Sequence, residues 1–203
     1  MSKPTIFPLF STPIYVNNVG DFQRPDVRSL EYAVGPYNFL TTSDKHVLDR
    51  PDFADVRAIV MREVNLYARE LLRIKSTIEL YITDSWINVH RRGHSAGAHI
   101  HHNSLISGVL YLKVNDQSGD LVFHKDLLSL IPFPPTLDLD MDSFNIYNCK
   151  SWAHKPKTND ICLFPSVVMH SADPNESDEE RWSLAFNDFA RGNIGVLHQI
   201  SLK

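Results

Sequence analysis

Two histidines separated by one residue, His99 and His101, are the side chains of this sequence best suited to binding a metal ion. On a β-strand they would project from the same face, about 7 Å apart along the backbone. His170 lies at the end of a second β-prone run, residues 161–170, and could supply a third imidazole. A barrel of short strands holds a catalytic metal with such a ligand set. The sequence therefore predicts a metal centre at these three residues, with a cluster of hydrogen-bonded structural histidines as the alternative.

An arginine and a serine follow the third histidine in a pattern suited to binding an anion. Arg181 opens the β-prone run 181–189, and Ser183 lies on the same face of that predicted strand. A guanidinium group binds a carboxylate through two parallel N–H bonds, and a hydroxyl two positions further on can donate one more. A solvated arginine at the edge of a sheet is the alternative interpretation.

The composition is that of an ordinary globular protein, with 203 residues, a formal net charge of −4 and ten histidines. This length predicts one domain over residues 1–203. The acidic balance argues against nucleic-acid binding, and no apolar run is long enough to span a membrane. The first residues lack the apolar core of a signal peptide, and Cys149 and Cys162 are not spaced as a metal pair. We therefore expect a cytoplasmic protein with reduced thiols.

Hydrophobic periodicity predicts the elements that position these residues. Apolar residues recur every three or four positions over residues 52–74, which predicts a helix with Asp52 as its cap. Residues 6–16 contain two prolines and fit an edge strand, and residues 25–34 are predicted as a short helix. Short strands are predicted at 77–82, 85–90, 105–114, 120–124, 151–156, 161–164, 167–171 and 181–189.

These elements predict a mainly β fold with flanking helices. Residues 1–75 would supply the N-terminal edge strand and supporting helices, and residues 76–203 would form a core of short strands, a sandwich or a barrel. Residues 125–150 interrupt the strands with three prolines and a run of alternating aspartates. So long a connection is typical of a lid or binding loop.

The order of the motifs resembles that of the 2-oxoglutarate- and Fe(II)-dependent oxygenases, and prolyl-hydroxylase-like members are closest in order and spacing. The motifs are Gly119–Phe123, Asn159–Phe164, His170 and Arg181-x-Ser183. A narrower resemblance, over nearly the whole chain, is to an oxygenase family of bacteria and tailed phages. It depends on Phe10–Pro13, His99–Ser104, Ser107–Leu112, Leu163–Ser166 and Pro174–Ser177.

The resemblance implies a double-stranded β-helix, the jelly-roll or cupin-like barrel, with iron inside one mouth. It implies that His99 is the first iron ligand and His170 the last. One departure concerns His101, because most members of the superfamily have Asp or Glu there. Three neutral imidazoles leave the metal centre one unit more positive than two imidazoles and a carboxylate, which favours a dianionic cosubstrate. They could also hold zinc with an open position for water.

The resemblance also implies roles for residues around the cosubstrate. Arg181, with Ser183 beside it, matches the residue that holds the distal carboxylate of 2-oxoglutarate. Tyr111 matches a tyrosine that contacts the same carboxylate in some relatives, with a core aromatic as the alternative. His90 lies near another cosubstrate-contacting position. His102 and Asn103, which follow the histidine pair, are assigned to the substrate side.

The predicted function is that of a non-haem dioxygenase whose cofactors are Fe(II), 2-oxoglutarate and molecular oxygen. It would convert 2-oxoglutarate to succinate and CO2 and hydroxylate an unidentified substrate. Its partners would be 2-oxoglutarate, that substrate and a possible second copy in a homodimer. Two alternatives remain open: a three-histidine cupin-type enzyme that uses no 2-oxoglutarate, and a non-enzymatic jelly-roll module with a structural metal. The Arg181-x-Ser183 motif favours the first function over both.

Overall fold

The computed structural model describes residues 4–125, 140–195 and 200–202. Within these ranges the chain forms twelve strands and one α-helix, α1 (Ala54–Leu66), with short 3-10 turns at Val27–Ser29, Val47–Asp49 and Pro51–Phe53. The strands are β1 (Tyr15–Asn18), β2 (Tyr32–Val34), β3 (Leu40–Thr42), β4 (Glu79–His90), β5 (Ala96–His99), β6 (Ile106–Lys113), β7 (Leu121–His124), β8 (Ser151–His154), β9 (Asp160–Pro165), β10 (His170–Ala172), β11 (Arg181–Ile194) and β12 (Ile200–Leu202).

The described strands form two antiparallel sheets. The larger has the order β1-β9-β6-β11-β4-β3-β2, with β12 paired to β11, and the smaller has the order β5-β10-β7-β8. Strands β4 and β11 pair along most of their length, from Arg181 opposite His90 to Arg191 opposite Glu79. Side chains alternate between the two faces of a strand. This register therefore places every second residue of β4 beside every second residue of β11 on the inner face of the larger sheet.

The hydrophobic core lies between the larger sheet and α1. Helix residues Val56, Val60 and Val64 are fully buried and belong to one cluster with Leu184 and Phe186 of β11. A second, smaller cluster contains Tyr111, Leu121, Phe123, Cys162 and Phe164. The inner face of β11 is free to line a cavity, because Leu184 and Phe186 of the first cluster point to the opposite face.

The predicted helix is present, but its start differs from the prediction. Pro51–Phe53 forms a 3-10 turn, the α-helix begins after Phe53, and residues Tyr67–Leu71 continue it as a π-helical turn. The assignment of Asp52 as the cap was wrong, since its carboxylate instead pairs with Arg50 at 3.1 Å. Pro51 favours the first position of a helical turn, which draws Asp52 into that turn rather than in front of it.

Several strand predictions also change. The two strands predicted at 77–82 and 85–90 form one strand, β4, and residues 25–34 contain a 3-10 turn and β2 instead of a helix. Of residues 6–16 only the end is strand, yet β1 lies at the edge of its sheet as expected. Residues 126–139, most of the predicted lid, lie outside the described residues.

Within the described residues, no helix has the length and apolar character that a membrane crossing requires.

Candidate metal and cosubstrate site

The structure brings His99, His101 and His170 together. One ring nitrogen from each lies within 4.8 Å of the others, and the ring centroids are 4.3–5.2 Å apart. His99 and His170 face each other across the pair β5 and β10. The placement of His101 on the same strand as His99 was wrong, because β5 ends at His99. The chain turns through Asn103, whose φ of 58° is left-handed, and the His101 amide donates to Ser166 O at 3.0 Å.

Hydrogen bonds orient two rings of this histidine triad, and a stacking contact orients the third. The Nδ1 atom of His99 lies 2.7 Å from Gly97 O, and that of His170 lies 2.9 Å from Val168 O. A neutral imidazole that donates from Nδ1 to a carbonyl presents the lone pair of Nε2 to a metal. The ring of His101 stacks on that of Trp86 instead, with 5.9 Å between the ring centroids. The triad is therefore oriented as a three-nitrogen ligand set.

Burial keeps the imidazoles of His101 and His170 neutral. It lowers the pKa of His170 to about 3 and, together with the neighbouring His99, lowers that of His101 to about 4. Metal ligands must be deprotonated, so both rings are ready to bind at neutral pH. Nitrogen donors of this type suit Fe(II) as well as zinc, and the triad fits a single divalent ion.

A cavity of about 680 Å³ extends from the triad along the inner face of the larger sheet. Its walls include residues of β4, β6 and β11, and the triad belongs to the opposite wall. The lining residues include His90, Tyr111, Arg181 and Ser183. All four residues that the sequence associated with a cosubstrate therefore line the same cavity as the histidines.

Arg181 is a buried cation without an anionic partner. The residue is only 3% exposed. Its Nη1 donates to Ser118 O at 2.7 Å, and its Nη2 donates to Nδ1 of His90. Among the described residues, no carboxylate oxygen of Asp or Glu lies within 4.0 Å of the guanidinium; the nearest Asp oxygen is the backbone carbonyl of Asp173, at 3.4 Å from Nη1. The hydroxyls of Ser183 and Tyr111 line the cavity beside it and make no hydrogen bond to another described residue. This end of the cavity can donate several hydrogen bonds to one carboxylate.

Burial sets the protonation of this end of the cavity. It lowers the pKa of His90 to about 2, with the positive charge of Arg181 acting in the same direction, so His90 is a neutral acceptor for the guanidinium. Burial also raises the pKa of Tyr111, which keeps the phenol protonated as a donor. Arginine stays charged even where burial lowers its pKa, as here.

Several residues on the cavity wall were not predicted from the sequence, notably Asp84, Trp86 and Asn88 of β4 and Asn187 of β11. Every second residue of a strand lies on the same face, so Asn187 shares the face of Arg181 and Ser183 on β11. In the same way, Asp84 shares the face of His90 on β4. Of the two residues assigned to the substrate side, His102 lines the cavity. Asn103 is exposed and does not line it.

The histidines' burial also predicts how the stability of the metal-free protein depends on pH. The pKa values of about 2, 3 and 4 for His90, His170 and His101 lie below the unfolded value of about 6.5. As pH falls from about 6.5 to about 4, the unfolded chain therefore binds protons that the folded protein does not, and stability falls. Each histidine contributes about 1.4 kcal/mol per pH unit. Asp188 has the opposite effect and offsets one histidine. Burial raises its pKa to about 8, so in this pH range the folded protein binds a proton at Asp188 that the unfolded chain does not.

Urea unfolding of the metal-free protein across this pH range measures the slope. Replacing His170 with asparagine should flatten it by the contribution of one histidine. A slope that is absent in the unmodified protein, or unchanged in His170→Asn, would contradict the burial of neutral imidazoles.

These features define a class: a two-sheet β fold whose cavity holds a three-histidine site for a metal at one wall and a buried arginine at its end. The family model described as "Putative 2OG-Fe(II) oxygenase" matches residues 84–187, just over half of the chain. The chain belongs to this family of 2-oxoglutarate- and Fe(II)-dependent oxygenases. Its cofactors are Fe(II) and 2-oxoglutarate, as the sequence predicted, with oxygen as cosubstrate.

Solved structures share the fold at low sequence identity. HygX from Streptomyces hygroscopicus, crystallised with nickel and 2-oxoglutarate, superposes with a TM-score of 0.58 at 14% identity, over 87% of this chain and 82% of that one. An oxidoreductase of the 2OG-Fe(II) oxygenase family from Burkholderia pseudomallei superposes with a TM-score of 0.54 at 14% identity, over 79% and 72% of the two chains. The predicted double-stranded β-helix is confirmed. Comparison with curated proteins gives no match.

Proposed function

We propose that this protein is a dioxygenase that hydroxylates its substrate, with His99, His101 and His170 as the iron ligands and Arg181, Ser183 and Tyr111 as the carboxylate site for 2-oxoglutarate. Bound iron, 2-oxoglutarate and molecular oxygen would supply the oxidising chemistry, in which one oxygen atom enters succinate as CO2 is lost and the other enters the hydroxyl group formed from a C–H bond of the substrate. The residues of the chain would bind the metal and 2-oxoglutarate, orient the substrate and exclude water.

The observation that carries this proposal is the unpaired cation at Arg181. A buried charge without a counter-ion is costly, so the folded protein gains most from a ligand that brings an anion to that position. A carboxylate accepts two parallel bonds from a guanidinium and further bonds from neighbouring hydroxyls. Arg181 and the triad border one cavity, so a dicarboxylate that ligates the metal at one end can reach the arginine with the other.

The walls between these two ends are aromatic. Phe39 packs against His90 with 4.2 Å between ring centroids, and Trp86 stacks on His101 at 5.9 Å. Aromatic faces restrict the orientations of a bound molecule and displace water from the metal centre, where water would compete for the open ligand positions. Lys45, Thr41 and His102 line the same cavity and supply polar groups for the substrate.

A screen of candidate substrates with Fe(II), 2-oxoglutarate and isotopically labelled oxygen tests the reaction. We expect succinate formation in proportion to product, and one labelled oxygen atom in the product. Product that forms without 2-oxoglutarate would overturn the proposal and support a cupin-type enzyme. Metal binding without 2-oxoglutarate binding would support a structural metal site.

The substitution His101→Asp tests whether His101 occupies the position that is a carboxylate in most of the superfamily. We expect the variant to fold and to bind Mn(II), because a carboxylate oxygen is a competent ligand for such metals. Thermal melting and calorimetric titration with Mn(II) measure the two properties. A variant that melts like the unmodified protein but binds no metal would show that His101 has a different role.

A further inference from the structure

The inner face of the larger sheet changes in charge from one end to the other. At one end, Arg181 of β11 pairs with His90 of β4. At the other end, Asn187 of β11 pairs with Asp84 of β4. Arg181 and Asn187 are about 20 Å apart along the extended strand. All four residues line the cavity, which therefore has a cation at one end and a carboxylate at the other.

The histidine triad contacts this face near the end that holds Asp84. Trp86 lies two residues from Asp84 on the same face of β4, and its ring stacks on that of His101. Ala185 is the partner of Trp86 on β11, and Arg181 lies four residues before it. In the proposed site, 2-oxoglutarate extends from the triad towards Arg181. The end of the cavity at Asp84 therefore remains open to the substrate.

Asp84 is a carboxylate without a cationic partner. It accepts from Thr83 Oγ1 at 2.7 Å and from Asn187 Nδ2 at 3.0 Å, and both donors are neutral. In the part of the chain that the structure describes, no Lys, Arg or His side-chain nitrogen lies within 4.0 Å of this carboxylate. The residue is half-buried, so water screens its charge only in part. Asp84 therefore brings an uncompensated negative charge into the cavity.

Lys45 also lines the cavity but does not neutralise this charge. Its Nζ donates to Thr41 Oγ1 at 3.0 Å and to Thr42 O at 2.7 Å. Thr41 pairs with Asn88, which lies four residues from Asp84 along β4. The ammonium group of Lys45 is therefore held at a different level of the sheet.

The carboxylate of Asp84 is held in place before any ligand binds. The Asn187 amide that donates to it accepts in turn from the hydroxyl of Ser107 at 2.7 Å. Asn187 is 5% exposed and Ser107 only 1% exposed, so neither side chain has room to turn. A ligand that binds a carboxylate fixed in this way loses little free energy to reorganisation of the protein.

We propose that the substrate carries an organic ammonium group and that Asp84 binds this group, with the indole ring of Trp86 beside it. An ammonium group offers hydrogen-bond donors and a full positive charge to the carboxylate, and an indole ring also attracts cations. An alcohol lacks the charge, and an acid is repelled by Asp84, so the same residue excludes both. This inference rests on the proposed function and names the class of substrate that the site accepts.

Three probes of similar size test this recognition: benzylammonium, benzyl alcohol and benzoate. Each is titrated into the protein loaded with Mn(II) and 2-oxoglutarate, and its proton NMR lines are followed, because Mn(II) broadens the lines of a molecule bound near it. The Zn(II)-loaded protein is the diamagnetic reference. We expect benzylammonium to bind about 10–100-fold more tightly than benzyl alcohol, and benzoate to bind most weakly. Benzylammonium that binds no more tightly than benzyl alcohol, or does not bind, would overturn the proposal.

The substitution Asp84→Asn assigns the preference to this residue, because it removes the charge and keeps the shape of the side chain. We expect the variant to bind benzylammonium and benzyl alcohol equally. Asp116→Asn is the matched control, since it removes the same charge from a side chain that is 97% exposed, and it should keep the preference. A preference that survives in Asp84→Asn would overturn the proposal. If Asp84→Asn does not melt cooperatively, Asp84→Ser, whose hydroxyl can accept from Asn187, decides in the same way.

Calorimetric titration with Mn(II), and then with 2-oxoglutarate, separates this inference from the proposed function. An unmodified protein that binds neither would refute the proposed function itself. Binding of both without a preference for benzylammonium would refute this inference alone. Loss of Mn(II) or 2-oxoglutarate binding in Asp84→Asn would show that Asp84 acts on the metal or the cosubstrate, and would also overturn it.

Discussion

Replacing Arg181 with alanine is expected to weaken the binding of 2-oxoglutarate to the Mn(II)-loaded protein by about 2–5 kcal/mol, or roughly thirty-fold to several-thousand-fold. The guanidinium is buried and has no carboxylate partner among the described residues, so its bond to the cosubstrate would be charge-assisted and little screened by water. Anaerobic calorimetric titration measures the affinity, and Mn(II) serves as a redox-inert substitute for Fe(II).

A further variant separates the paired hydrogen bonds of the guanidinium from its charge, and another serves as the control. Arg181→Lys keeps the charge but loses the two parallel bonds, so its affinity should lie between those of the unmodified protein and Arg181→Ala. Arg92→Ala is the control, because that arginine is 63% exposed and pairs with Asp178. Metal content should not change in any of the three. Unaltered 2-oxoglutarate binding in Arg181→Ala would show that the anchor is a different residue.

Replacing His170 with alanine is expected to abolish stoichiometric metal binding. His170 is buried, and its ring is held by Val168 O with the other nitrogen directed to the remaining two histidines. Loss of a direct ligand should exceed the 10–100-fold loss in affinity that is typical when an outer partner is removed. Elemental analysis and Mn(II) titration measure the effect.

His46→Ala provides the control for this substitution. The side chain of His46 is 61% exposed, and its nearest charged partner is Asp49 at 3.9 Å. The substitution therefore removes a histidine without changing the cavity. We expect its metal content to equal that of the unmodified protein. Equal metal content in His170→Ala, with an intact fold, would exclude His170 as a ligand.

The triad was predictable from sequence because its chemistry is specific, but the reason given for one member was wrong. His99 and His101 converge although the strand ends between them. The turn at Asn103 and the bond from the His101 amide to Ser166 O bring the ring back to the same side. Such tertiary contacts join residues far apart in the chain, and no local pattern contains them.

Alternation along β11 was sufficient to pair Ser183 with Arg181, yet the residues that complete the cavity were missed. The run 77–90 was predicted as two strands, which concealed that Asp84, Trp86, Asn88 and His90 share one face of β4. The contact of Asp84 with Asn187 depends on the register of β4 against β11, including the irregularity after Asn187. Register between distant strands is set by packing, which the sequence of either strand alone does not specify.

The helix illustrates the same limit at a smaller scale. Periodic apolar residues located it correctly, because Val56, Val60 and Val64 must all reach the core. Its first turn was placed wrongly, because Pro51 starts a 3-10 turn that takes up Asp52. Burial determines that a helix forms, whereas its end depends on a few local contacts.

A crystal structure of the protein grown anaerobically with Mn(II) and 2-oxoglutarate tests the central claim most directly. We expect one metal ion bound by His99, His101 and His170, with 2-oxoglutarate chelating it and extending its far carboxylate to Arg181, Ser183 and Tyr111. A metal bound elsewhere, or 2-oxoglutarate bound with its far carboxylate away from Arg181, would contradict the account.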